Sequence, residues 1–162
     1  MQLWLDFKVL VVLTAANGAP VLGKKLFRGF LGYPIDAGCI VFDGQRLLGH
    51  SKTIRGVFLS AIFTSAWARA VGFTWRIGVV IALAAMAGDL LSSFIKRRLG
   101  WPPSSMALGL DQVPESLFPT LLIMHPLGLE VVDLIVIVIA FFVGELGLSR
   151  LLFNLRIRDE PY

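Results

Sequence analysis

The sequence predicts an all-α integral membrane protein with about five transmembrane helices and a long cytoplasmic loop after the first. Three observations carry this. Hydrophobic residues make up 56% of the chain and charged residues 16%, against roughly 45–50% and about 25% in soluble domains. The apolar residues gather in runs near the length of about 20 that crosses a bilayer core. The cations are segregated: six lie in the long loop, three at Lys96–Arg98, and three at Arg150, Arg156 and Arg158, leaving only Lys8, Arg69 and Arg76 elsewhere. Such crowding marks the cytoplasmic side, so the net charge of +4 is read as topology and no nucleic-acid partner is expected. The length of 162 residues allows one domain, taken as a single membrane-embedded unit over 1–162.

The first run, Leu3–Leu22, is read as a retained span, because Asp6 offsets Lys8 and the positive start of a signal peptide is missing. Gly18 and Pro20 invite termination near its end. Asn17 then either satisfies the loosened backbone or faces a polar cavity, and the sequence leaves the two even. Residues 23–56 form the long loop. Its first part alternates Leu22, Leu26, Phe27, Phe30 and Leu31 with basic residues, as in a short helix lying on the membrane surface. The part from Tyr33 to Gly56 is dense in glycine, in Asp36 and Asp43, and in cations. Glycine lets backbone approach a ligand, and Arg46, Lys52 and Arg55 suit phosphates. A solvated loop is the plainer account of any one of these cations, but their density as a unit exceeds what topology needs. The single cysteine, Cys39, excludes an internal disulfide and is read as a small packing residue.

Val57–Phe73 is the second expected span and Ile77–Ile95 the third, joined by a tight turn near Gly72–Arg76. Val113–Met124 is apolar but short. Extended from Glu115 through Pro126 to Val131 it either crosses or re-enters. Val131–Leu152 is the last span, with Asp133 near one end and Glu145 inside; Gly144 and Gly147 permit close helix contact. Pairing of Glu145 with Arg150 is slightly favoured over a place in the cavity. Five spans with an external N-terminus keep the basic C-terminus cytoplasmic, whereas four would export it.

Asp89 is the residue that turns topology into chemistry. A carboxylate at a helix centre costs roughly 2.5–3.5 kcal/mol on insertion scales, which makes it a functional candidate by default. Asp89, Ser93 and Lys96 are spaced i, i+4, i+7 and share one helical face, with Arg97 at its edge and Arg98 pointing away. An Asp89–Lys96 ion pair that tolerates burial is the plainer alternative. Asp111 stands just before the next apolar run, so two acids at helix ends can converge on a divalent metal. Mg²⁺ suits such a site, being commonly held by one or two carboxylates plus substrate phosphates. The residues alone support a metal-dependent enzyme acting on a phosphorylated lipid.

Gly88–Arg98, GDLLSSFIKRR, followed by Gly109–Gln112, GLDQ, resembles the CDP-archaeol synthase family, relatives of the CDP-diacylglycerol synthases. Three earlier motifs match in the same order: N-x-x-P (Asn17, Pro20), P-x-D-x-G (Pro34, Asp36, Gly38) and R-x-x-G-x-x-K-T-x-x-G from Arg46 through Lys52 and Thr53 to Gly56. The resemblance implies transfer of a cytidylyl group from CTP to a lipid phosphate in the membrane, with Mg²⁺, giving a CDP-lipid and pyrophosphate. It implies Asp89 and Asp111 as metal ligands and, with Lys96, as the catalytic set. Lys96 and Arg97 would hold phosphates, and Arg46, Lys52 and Thr53 would handle CTP. Asn17, Asp36, Ser93 and Gln112 complete the substrate-binding set. Ser92-Ser93 after the Gly-Asp pair, and Asp-Gln where the diacyl branch has Asp-Arg, favour the archaeol-type branch. A homodimer is left open.

Two other classes compete. A CDP-alcohol phosphatidyltransferase carries D-G-x-x-A-R with further aspartates at four-residue spacing, but Asp43-Gly44 is followed by Gln45-Arg46 without them. A small transporter or scaffold would use Asp89 and Glu145 as ion-pathway residues, yet internal repeats typical of transporters are absent from the sequence.

Overall fold

Pro20 does not end the first helix. In the computed structural model, which describes residues 2–27 and 32–156, helix α1 runs Leu3–Phe27 with Pro20 inside it. Proline has no N–H, so the carbonyl four residues earlier loses its helical partner. That carbonyl is Ala16 O, and Ser60 Oγ from α2 (Ile54–Ala70) donates to it at 2.8 Å. Ser60 is fully buried. The repair comes from the neighbouring helix, so the Asn17 side chain is not spent on the backbone. Ser60→Ala is expected to cost about 1–3 kcal/mol, the penalty of a buried carbonyl left unpaired. Thermal unfolding in detergent measures it, and an unchanged midpoint would show that the bond contributes nothing.

With α1 continuing, Leu22, Leu26 and Phe27 belong to its last turns and not to a separate surface helix; Phe30 and Leu31 lie outside the described residues. The long loop is correspondingly shorter than expected. Thr53 starts α2 three residues before the apolar run does, its Oγ1 accepting from Gly56 N at 3.2 Å. Gly72, at φ +91°, turns the chain, and Thr74 caps α3 (Trp75–Arg98). Lys96–Arg98 therefore form the last turn of α3, where cations complement the helix dipole. Helix α4 covers Gln112–Leu127 and stops at Gly128 in the left-handed conformation. Helix α5 covers Val131–Asn154.

Contacts sort the helix ends into two faces of the bundle. At one face Gln2 Nε2 donates to Gly128 O at 3.0 Å and Gln2 N to Asp133 Oδ1 at 3.0 Å. Lys8 lies 5.9 Å from the Phe73 ring centre at the same face. It gathers the start of α1, the α2–α3 turn and the α4–α5 turn. The opposite face holds the other ends, tied by Lys25 Nζ donating to Arg156 O at 3.0 Å. Helix α4 thus begins at one face of the bundle and ends at the other.

The bundle is apolar outside as well as inside. Val9, Val12, Leu13 and Ala16 of α1 pack on Ile81 and Ala85 of α3 and on Ile123, Ile137 and Phe141. Phe58, Ile62, Leu83, Ile135, Ile139 and Val143 are exposed, as a lipid-facing surface requires. Three helices, α1, α3 and α5, are long and apolar enough to cross a membrane. Helices α2 and α4, at 17 and 16 residues, reach roughly 25 Å at 1.5 Å per residue. Among the described residues there is no strand; isolated bridges Pro34–Thr53 and Ile40–Arg46 brace the loop. Cys39 is exposed in that loop, which corrects its reading as a packing residue: no helix covers it.

Candidate active site

Asp36 organises the loop of residues 32–53. Its Oδ1 accepts from Gly38 N at 3.0 Å and from Arg46 Nη2 at 2.8 Å. Its Oδ2 accepts from Leu48 N at 3.2 Å and Gly49 N at 3.1 Å. Burial works against the charge, but these bonds outweigh it and pull the carboxyl down to about 2. Asp36 is thus occupied on both oxygens, and neither it nor Arg46 borders the cavity described below. In this structure they shape the loop that presents Lys52. The shift from 3.8 to about 2 corresponds to about 2 kcal/mol. Because the folded value is depressed, this contribution is present above pH 3.8 and drains as pH falls towards 2. Asp36→Asn should therefore destabilise the loop at neutral pH and flatten the acid limb of its unfolding curve. A limb of unchanged slope would contradict this.

Gly88 brings the two acids together. A Cβ there would lie 2.7 Å from Glu115 N and closer still to the Pro114 carbonyl, so only glycine lets the first turn of α4 lie against α3. The contact places Glu115 beside Asp89 and brings Asp111 to the lining of the same cavity. The pairing is crosswise. Lys52 Nζ donates to both oxygens of Asp89 at 2.6 and 2.7 Å, whereas Lys96 Nζ approaches Asp111 Oδ1 at 2.7 Å. The Asp89–Lys96 pair considered from spacing is thereby replaced. Burial disfavours the Lys52 ammonium, but the Asp89 carboxylate more than offsets this and the lysine is held above its usual range.

Four of the expected residues also fasten a loop. Lys96 donates to Ser105 O at 2.8 Å and Arg97 to Pro102 O at 2.7 Å. Asp111 Oδ2 accepts from Ala107 N at 2.9 Å, and Gln112 Oε1 accepts from Gly109 N at 2.9 Å. Arg98 turns away to Asp43 at 2.6 Å, as its position on the helix requires. The result is a cavity of about 1010 Å³ under the two loops. Asn17, Lys52, Thr53, Asp89, Ser93, Lys96, Arg97, Asp111 and Gln112 all line it.

Residues 67–162 of this chain match the family described as CarS-like, CDP-archaeol synthase. The chain belongs to the CDP-archaeol synthase family. It is 34% identical to the CDP-archaeol synthase of Sulfurisphaera tokodaii, over 96% of this chain and 95% of that one. The enzyme of Sulfolobus acidocaldarius is also 34% identical, over 91% and 90%. A solved structure described as an intramembrane enzyme for archaeal membrane lipids biosynthesis superposes with a TM-score of 0.69 and 30% identity. It covers 86% of this chain and 91% of its own. The chain is accordingly a membrane-embedded member of the CDP-archaeol synthases.

Of two further acids in the site, Glu115 was not expected and Glu145 was the less favoured alternative. Glu115, one turn beyond Asp111 on α4, is buried against Asp89. The signal was the i, i+4 spacing from Asp111 to Glu115, which puts both on one face. Glu145 lines the cavity from α5, which corrects its favoured role as a surface partner of Arg150. Among the described residues no three His, Cys, Asp or Glu side chains are gathered as a metal cluster. Asp111 Oδ1 is buried against the Lys96 ammonium, and both Asp89 oxygens accept from Lys52, so each carboxylate of the shared cavity already faces a cation. A divalent cation such as Mg²⁺ would take the place of those ammoniums and complete its shell with phosphate oxygens and water.

Proposed function

We propose that this chain transfers the cytidylyl group of CTP to a membrane lipid phosphate of the archaeol ether type, giving a CDP-lipid and pyrophosphate. The observation that carries this reading is the junction of two spaces. The cationic cavity adjoins an apolar groove of about 590 Å³ between α1, α2 and α5, and Asn17, Val21, Glu145 and Ser149 line both. A phosphate head and a hydrocarbon chain on one molecule fit that pair of spaces. Family membership favours this over a transporter, a scaffold or a CDP-alcohol phosphatidyltransferase.

In this reading Lys52, Arg55, Lys96 and Arg97 hold the two sets of phosphates close together, and positioning supplies much of the acceleration. An oxygen of the lipid phosphate attacks the α-phosphorus of CTP. One P–O bond forms, the α–β bridge breaks, and its electrons leave on pyrophosphate, whose charge the same cations stabilise. The attacking oxygen is already anionic, so no protein nucleophile or base is needed. Asp89 and Asp111 would hold Mg²⁺, which when bound supplies charge neutralisation on the phosphates. We place the cavity on the cytoplasmic face, where CTP is found and where the cations lie.

Purified protein given CTP, Mg²⁺ and ether- and ester-linked lipid phosphates should release pyrophosphate only with lipid, and EDTA should stop it. Lipid-independent release, or none from folded protein across both linkages, would contradict the proposal.

A further inference from the structure

Asn17 stands where the cavity and the groove meet, since it lines both. Its Nδ2 is buried and has no hydrogen-bond partner. Within a helix a short amide often turns back onto the backbone, but the carbonyl that Pro20 releases is already taken by Ser60. A buried donor without a partner is costly and persists where something else supplies the acceptor. The residue stands at a boundary with two chemistries on its sides: cations on one, and Phe7, Leu10, Phe63, Trp67 and Phe141 on the other.

A glycerol-based lipid phosphate lying across this boundary puts its phosphate among the cations and its chains in the groove. The atoms between them are the glycerol carbons and the oxygens that link the chains. Those oxygens accept hydrogen bonds and cannot donate. Of the other residues shared by the two spaces, Val21 offers no polar side chain, the carboxylate of Glu145 is an acceptor, and Ser149, whose hydroxyl can also donate, already has a partner; the Asn17 amide is the buried donor without one. Resting on the proposed cytidylyltransferase reading, we infer that Asn17 is a specificity-determining residue whose amide donates to a linkage oxygen of the lipid's glycerol. It would distinguish a glycerol lipid phosphate from a simple long-chain alkyl phosphate, which carries the same phosphate and hydrocarbon without the linkage oxygens.

The test crosses a substitution with a substrate change. Full-length wild-type protein and Asn17→Leu, in the same detergent, are assayed for pyrophosphate release with a diether glycerol phosphate and with a long-chain alkyl phosphate. Removing one neutral hydrogen bond is worth about tenfold. The wild-type preference, in kcat/KM, for the glycerol lipid should therefore shrink by about tenfold in Asn17→Leu, while the KM for CTP stays within its error. Asn17→Asp, which replaces the donor by an acceptor, should shrink it further, and it serves also if the leucine variant unfolds. Equal losses on both lipids, an unaltered preference, or a raised KM for CTP would overturn the assignment to Asn17 while leaving the enzyme reading intact. Silence of the wild-type protein with both lipids would remove that reading and this one with it.

Discussion

Asp89→Asn should leave a folded bundle with turnover reduced at least about a thousandfold, the order seen when a single electrostatic stabiliser is removed. The effect is large because Asp89 is tied to two other charged groups. Both of its oxygens accept from Lys52, and Glu115 lies against it. An amide in its place keeps the shape but loses the charge that holds the Lys52 ammonium in position and that would attract a divalent cation. Asp111→Asn should follow with a comparable loss, since its partner Lys96 also anchors the loop at Ser105. Because the two acids serve one reaction centre, the double variant should lose far less than the product of the single losses. Near-normal turnover by either well-folded single variant would remove the carboxylates from the chemistry.

Gly88→Val is expected to be the most damaging substitution away from the charged residues. The new Cβ would press on the Pro114 carbonyl and the Glu115 amide, both backbone, so no side chain can rotate out of its way. Overpacking of this kind costs typically 1–3 kcal/mol, and the upper end, about 3 kcal/mol, is expected here. Separation of α3 from α4 should also part Asp89 from Asp111, so activity should fall by more than stability alone explains. Gly147→Ala is the control, because nothing lies within 4 Å of a Cβ there; it should unfold at or slightly above the wild-type temperature. Equal behaviour of the two variants would show that the α3–α4 approach does not depend on Gly88.

Much of the bundle was legible because a membrane imposes simple constraints. Every backbone polar group in hydrocarbon must be paired, which favours helices, and the cations Lys96–Arg98 mark a helix end. Asp89 and Asp111 were legible for a related reason: a carboxylate in an apolar run needs a purpose. The partners of those acids were not. Spacing along α3 puts Lys96 on the Asp89 face, but the ammonium that reaches Asp89 comes from Lys52, 37 residues away. Its position depends on the bonds made by Asp36, which no periodicity reveals. Pro20 misled for a complementary reason. Its cost falls on the Ala16 carbonyl, and the Ser60 hydroxyl that meets that cost lies 44 residues on, in another helix. Glu115 was within reach, four positions after Asp111, but its nearness to the loop end hid it among residues taken as the start of a span.

The most direct test of the central claim follows the phosphorus atoms. Two preparations of CTP, one labelled on the α-phosphate and one on the γ-phosphate, are given to the purified chain with an archaeol-type lipid phosphate and Mg²⁺. Label from the α-phosphate should pass into the lipid phase, and label from the γ-phosphate should stay in water as pyrophosphate. Transfer of the γ-label to lipid, or of neither label by folded protein, would contradict cytidylyl transfer at this cavity.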